Sequence, residues 1–157
     1  MSNLEKKGYT PVQMVFYKPN QETVYEVETI CAYNKDTKEV VEIGQDAVRQ
    51  ENNRDIIVEN PMKWGVIGSY TIFAKLIQLC MKKIPKKLFK KLKIALCIPA
   101  NLSEVEAIAF KDAFAENAKA EVVDIIQASF VEVIENNQSY DLYVEFVSDY
   151  YASEYFQ

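Results

Sequence analysis

The chain has 157 residues, 49% of them apolar, which suits one domain with a proper core and leaves two domains cramped. Its formal charge of -5 argues against nucleic acid as a partner, and the absence of histidine excludes Ser-His-Asp and Cys-His catalysis and histidine-ligated zinc. The N-terminus lacks an apolar core of signal-peptide length and no segment reaches the roughly 18 apolar residues of a membrane span, so a cytoplasmic protein is expected.

Val12–Tyr17 and Thr23–Tyr33 are rich in β-branched and aromatic residues, and Lys18–Gln21 between them reads as a turn. After a second turn at Asn34–Thr37, Glu39–Ile43 completes an antiparallel meander of three strands. Gly44 opens a short polar helix over Gln45–Gln50, Glu51–Arg54 is a loop and Asp55–Val58 is extended. Asn60-Pro61 forces a turn, because the residue before proline is pushed out of the helical region. Ser69 stands where it can cap a helix over Tyr70–Lys83, whose apolar residues fill more than one face, and Pro85 stops that helix.

Lys82–Lys93 is heavily basic. Lys82, Lys83, Lys86, Lys87, Lys90 and Lys91 share one side of a helical wheel, opposite Ile84, Leu88, Phe89 and Leu92. One reading is a peripheral contact for anionic lipid or nucleic acid; the other is a solvated connection whose apolar residues pack down on the domain.

Lys93–Phe114 organises the chain. Ile94–Ile98 is an uninterrupted apolar run, as expected of a parallel strand covered on both faces, and Pro99 ends it. Ser103 and Glu106 have capping-box spacing, and Val105, Ile108, Ala109, Ala113 and Phe114 then recur as an apolar stripe. Glu121–Ile126 follows as a strand parallel to Ile94–Ile98, Ala128–Glu135 as a helix, and Tyr140–Tyr151 as an alternating strand. From Ala120 onward there is no lysine or arginine. Cys31, Cys80 and Cys97 lie far apart inside apolar runs and read as buried thiols in a reducing compartment, not as disulfides or metal ligands.

Three stretches carry a resemblance. Asn60–Ser69 (NPMKWGVIGS) is similar to the segment of the bacterial actin MreB that reads Arg-Pro-Met-Lys-Asp-Gly-Val-Ile-Ala. Pro99–Ala109 (PANLSEVEAIA) resembles that family's proline, three residues, Thr, one residue, Val-Glu, two residues, Ala, and Lys38–Ala47 resembles its Val-Ala-Val-Gly-Glu-Glu-Ala run. The matches occur in the family's order and cover about Val12–Glu135. The resemblance implies the first half-domain of the actin and heat-shock-chaperone ATPase superfamily: an α/β, ribonuclease-H-like fold with an antiparallel meander followed by parallel strands and covering helices. A single domain is expected, with its core at about 12–147 and loose ends at 1–9 and 152–157.

In that family ATP is gripped by two glycine-rich hairpins, where side chains would keep backbone amides from the phosphates. The first reads Asp, any residue, Gly, Thr; its counterpart here is Glu5–Thr10 (EKKGYT), which keeps Gly8 but lacks the aspartate. The second reads Asp, any residue, Gly-Gly-Gly-Thr; its nearest counterpart, Glu145–Tyr150 (EFVSDY), has no glycine. The chain stops where the second half of an actin would begin. The family's Glu-Pro-Met-Ala-Ala helix start reads Gln127-Ala128-Ser129-Phe130-Val131 here.

Glu106 takes the position of the family's water-directing glutamate, and it is also the reciprocal partner of Ser103 in the cap. The resulting expectation is a non-catalytic domain without cofactor or metal that acts through protein partners or self-association in cell-shape or cytoskeletal organisation. Candidate contact residues are Trp64, the six lysines named above, Tyr140, Tyr143, Tyr150, Tyr151, Tyr155 and Phe156. The alternatives are a divergent ATPase that completes its site by oligomerising and uses ATP and magnesium, and a basic-surface adaptor. Glu145–Tyr155 is expected to pair within the central sheet.

Overall fold

β1 (Gln13–Tyr17) and β2 (Thr23–Glu28) form the expected antiparallel hairpin in a computed structural model that describes residues 8–9, 12–85, 92–136, 139–148 and 151. The run Thr23–Tyr33 is nonetheless two strands. The chain bends at Thr29 and Ile30, and β3 (Cys31–Asn34) enters a second sheet, flanked there by β4 (Val40–Ile43) and β5 (Ile56–Glu59). The three-strand meander is thus divided between two sheets. Thr29 holds the bend: it is wholly buried, and its hydroxyl accepts from the Val12 amide at 3.3 Å and donates to Asn60 Oδ1 at 2.9 Å. At the far end of β4, Gly44 (φ 67°) starts α1 (Gln45–Val48), and a Cβ on it would lie 2.8 Å from Val27 Cγ2.

β8 (Lys93–Cys97), β9 (Val122–Ile126) and β10 (Leu142–Val147) join the hairpin in a five-stranded sheet of order β2-β1-β10-β8-β9. β8 runs parallel to β9 and to β10, while β10 runs antiparallel to β1. The alternating C-terminal run therefore occupies the middle of the sheet. It does so over Leu142–Val147 only, shorter than the Tyr140–Tyr151 expected.

Alternation along the two central strands explains the layers. Ile94, Leu96, Leu142, Val144 and Phe146 point to a core covered by α2 (Tyr70–Lys82) and α3 (Glu104–Asn117). Ala95, Cys97 and Tyr143 point to the opposite face, where α4 (Phe130–Asn136) supplies Phe130, Val133 and Ile134. β8 is covered on both sides, as its uninterrupted apolar run requires. A third small cluster of Ile30, Ala32, Ala47 and Val48 sits under the second sheet.

Two helix expectations are corrected. Val105 and Ile108, expected in the buried stripe, are 77% and 50% exposed; Phe110, Ala113 and Phe114 face the sheet instead. Aromatic area decides the rotation, since Phe110 and Phe114 both meet Phe73 and Phe146 edge-on. Ser69 does hold the N-cap position of α2, but its side chain makes no capping bond.

All three cysteines are buried and unpaired. Desolvation, with lesser help from Glu59 and Glu145 respectively, pushes Cys31 and Cys97 up to about 12, and Cys80 is driven higher still by its burial. In the folded protein at pH 8 none should react with a thiol-specific disulfide reagent over minutes, and all three should react in denaturant; fast reaction of one native thiol would contradict this packing.

Candidate functional site

In parallel α/β sheets, ligands bind beyond the carboxyl ends of the strands. Here the carboxyl ends of β8 and β10 point the same way, and three segments meet beyond them: the loop Ala100–Leu102 with the start of α3, the residues after β10, and a small hairpin of β6 (Met62–Lys63) and β7 (Val66–Ile67).

That hairpin did not stand out from the sequence. Asn60 Oδ1 accepts from the Met62 amide at 3.0 Å, and the Pro61 carbonyl accepts from the amides of Gly68 and Ser69, which closes its base. Trp64 and Gly65 form its two-residue turn with φ of 57° and 79°, the type I′ geometry that matches strand twist. Asp-Gly, the pair in the resembling MreB segment, is favoured in this turn; tryptophan is a costly choice at positive φ. Its indole is nevertheless 79% exposed. The available signal was therefore the X-Gly pair itself, obscured by the shortness of strands two residues long.

Glu106 lies in the first turn of α3 and lines a cleft of about 140 Å³ together with Trp64, Gly65, Val66, Leu102 and Tyr151. Its carboxylate is engaged: Oε1 accepts from the Ser103 amide at 2.8 Å, while Ser103 Oγ accepts from the Glu106 amide at 3.1 Å, closing the capping box that the spacing predicts. Gln127 Nε2 donates to the Ala100 carbonyl and to Asn101 Oδ1, tying the β9–α4 loop to the β8–α3 loop. A larger cleft of about 400 Å³ adjoins on the other side of the hairpin, lined by Tyr9, Val58, Glu59, Lys63, Trp64 and Ser148 among others. Among the described residues no group of three or more acidic or sulfur ligands is placed to hold a metal ion.

The other candidates separate. Tyr151, expected at a contact surface, is 1% exposed, and its hydroxyl donates to the Gly65 carbonyl; the ring belongs to the interior. Tyr143 is likewise fully buried beneath α4, so it is no surface contact. Tyr140 is half-buried and donates to Asp124 Oδ2 at 2.6 Å, and burial followed by that bond pushes its phenol up to about 12. Trp64, Lys82 and Lys83 are exposed as expected. Lys86, Lys87, Lys90, Lys91, Tyr150, Tyr155 and Phe156, and the expected loose ends apart from Gly8 and Tyr9, lie outside the described residues.

Glu145, first residue of the second hairpin's counterpart, faces the opposite side of the sheet. Its carboxylate accepts from the Phe130 amide at 2.8 Å and the Tyr17 hydroxyl at 3.2 Å, and Tyr17 stacks on Phe130 with centroids 3.8 Å apart. It is thus committed to the start of α4.

The profile of the MreB/Mbl protein family matches residues 10–138. The chain belongs to that family. Among curated relatives, the cell shape-determining proteins Mbl of Bacillus subtilis and Bacillus cereus are each 28% identical over 88 residues, covering 54% of this chain and 26% of the relative. Among solved structures, MreB5 of Spiroplasma citri bound to ADP is 26% identical, with a TM-score of 0.62 over 75% of this chain and 35% of that one. A MamK double helical filament has a TM-score of 0.56 at 12% identity, which speaks to the fold alone. This MreB/Mbl-family chain therefore spans about a quarter of the length of the curated relatives it matches and about a third of those solved structures. The actin-like fold expected from Asn60–Ser69 and Pro99–Ala109 is the one observed.

Proposed function

We propose that this chain is a non-catalytic member of the MreB/Mbl family that serves cell-shape or cytoskeletal organisation through protein contacts, self-association among them, without nucleotide or metal. One observation carries the reading: the carboxylate of Glu106 is held in a capping box, its Oε1 accepting from the Ser103 amide while Ser103 Oγ accepts from the Glu106 amide. The sequence adds support, since neither counterpart of the phosphate-gripping hairpins keeps its glycines and aspartate together. Exposed Trp64, Lys82 and Lys83 are the contact candidates for partners or for a second copy. A cytoplasmic site of action is part of this reading, in keeping with three unpaired thiols. Among the described residues no helix is long and apolar enough to cross a membrane.

The two roles of Glu106 have different signatures. Glu106→Ala should cost roughly 1 kcal/mol of stability through the lost cap, measured by denaturant unfolding, and Glu106→Gln less. With magnesium and ATP neither variant nor the wild type should release phosphate steadily. Steady release by the wild type, abolished in Glu106→Gln, would establish the divergent ATPase instead.

A further inference from the structure

β9 is one edge of the main sheet, with no strand beyond it among the described residues. The Val122 amide donates to the Leu92 carbonyl and the Ile126 carbonyl accepts from the Ile98 amide, so these two residues turn their backbone groups toward the β8 segment. Alternation then turns the N–H and C=O of Val123 and Ile125 outward. Exposed edges are ordinarily blunted by lysine, proline or a bulge. The opposite edge, β2, breaks register against β1 and carries Glu26 and Glu28, and β4 breaks register against β3. β9 pairs with β8 in unbroken register and contains neither proline nor lysine.

The two faces of this edge differ. Val123 and Ile125 pack toward the core under α2 and α3, yet each stays half-buried. Asp124 lies on the other face, where Tyr140 donates to its Oδ2 and α4 exposes Glu132 and Glu135. From Ala120 onward the sequence has no lysine or arginine, and Lys93 and Lys119 stand at the amino end of the strand. Outward backbone groups between an apolar face and a carboxylate face suit an extended segment that alternates β-branched and basic residues. A second copy of β9 fits less well, because it would bring Asp124 against its like.

We propose that the outer edge of β9 docks an extended partner segment of alternating apolar and basic residues, which adds a strand to the sheet through Val123 and Ile125 and sets its cations beside Asp124, Glu132 and Glu135. The edge gives a surface and a partner chemistry to the protein contacts proposed above, and it rests on that reading. The two fail separately: strand docking is read with a peptide, and the nucleotide-free reading with ATP.

The experiment uses the full chain and the acetylated, amidated peptide Lys-Val-Lys-Val-Lys-Val-Lys. Binding by fluorescence anisotropy should saturate at low ionic strength and weaken with added salt. At saturation the Val123 and Ile125 amides should exchange hydrogen roughly fivefold or more slowly, as about one new hydrogen bond at each implies, with β2 unchanged. The isomer Lys-Lys-Lys-Lys-Val-Val-Val, of equal charge and composition, should bind about tenfold or more weakly, and a version with glutamate in place of lysine should not bind. Asp124→Lys should weaken the alternating peptide roughly fivefold; if that variant fails to fold, the peptide comparisons decide on the wild type. No saturable binding at millimolar peptide, equal binding of the two lysine isomers, or slowed exchange at β2 instead of β9 would overturn the docking edge. Slowing of Val123 and Ile125 with rising protein concentration and no peptide would assign the edge to a second copy and overturn the basic partner.

Discussion

Phe146→Ala is expected to lower the free energy of unfolding by about 3–5 kcal/mol, measured by denaturant titration. Phe146 is wholly buried in the middle strand and meets Phe110 and Phe114 edge-on, with centroids 5.4 Å and 6.3 Å away. Phe73 packs against the same two rings from α2, so the four aromatics join sheet and both helices of that layer. Removing the ring that belongs to the sheet leaves a void against Phe110 and Phe114. Val147→Thr, next along the strand and 43% exposed, should stay within about 0.5 kcal/mol. A loss below about 1 kcal/mol for Phe146→Ala would show that β10 is not packed as described.

The larger expectation concerns the whole strand. A chain ending at Ser139 lacks β10, and with it every backbone partner of β1 on one side and of β8 on one side. It also loses Leu142, Tyr143, Val144 and Phe146, all fully buried, from both faces of the sheet. Two inner strand edges and two opened cores exceed the stability of an ordinary domain, about 5–15 kcal/mol. The shortened chain should therefore show no cooperative melting transition by circular dichroism. A sharp transition with the wild-type helical signal would mean that the sheet does not depend on β10.

Most of this arrangement was legible in the residues, for reasons that differ by element. The run Ile94–Ile98 and the alternation around Leu142–Val147 report which faces a strand must bury, and periodicity carries that information directly. The Ser103–Glu106 box is local chemistry and formed as its spacing requires. The bend at Thr29 was not legible, because it depends on Asn60, 31 residues away. The rotation of α3 is hidden from the sequence for a related reason. Val105 and Ile108 have the right spacing for a buried stripe, but the rotation is settled by where Phe73 and Phe146 lie. In the candidate site, Glu106 could be named from its motif. Tyr151 has the local sequence of a surface aromatic, and nothing local distinguishes an exposed tyrosine from one whose hydroxyl reaches a carbonyl 86 residues away.

The same contrast applies to function. A family pattern places Glu106, whereas what surrounds it decides its chemistry. Its carboxylate is bonded to the Ser103 amide, the Glu145 carboxylate is bonded to the start of α4, and the buried ring of Tyr151 is one wall of the cleft that Glu106 also lines. The central sheet is closed by β10, which pairs with β1 on one side and β8 on the other.

The most direct test of that account is a calorimetric titration of the intact chain with ATP and magnesium. We expect no saturable heat at millimolar nucleotide. Micromolar, magnesium-dependent binding would contradict the proposal that this chain works without nucleotide.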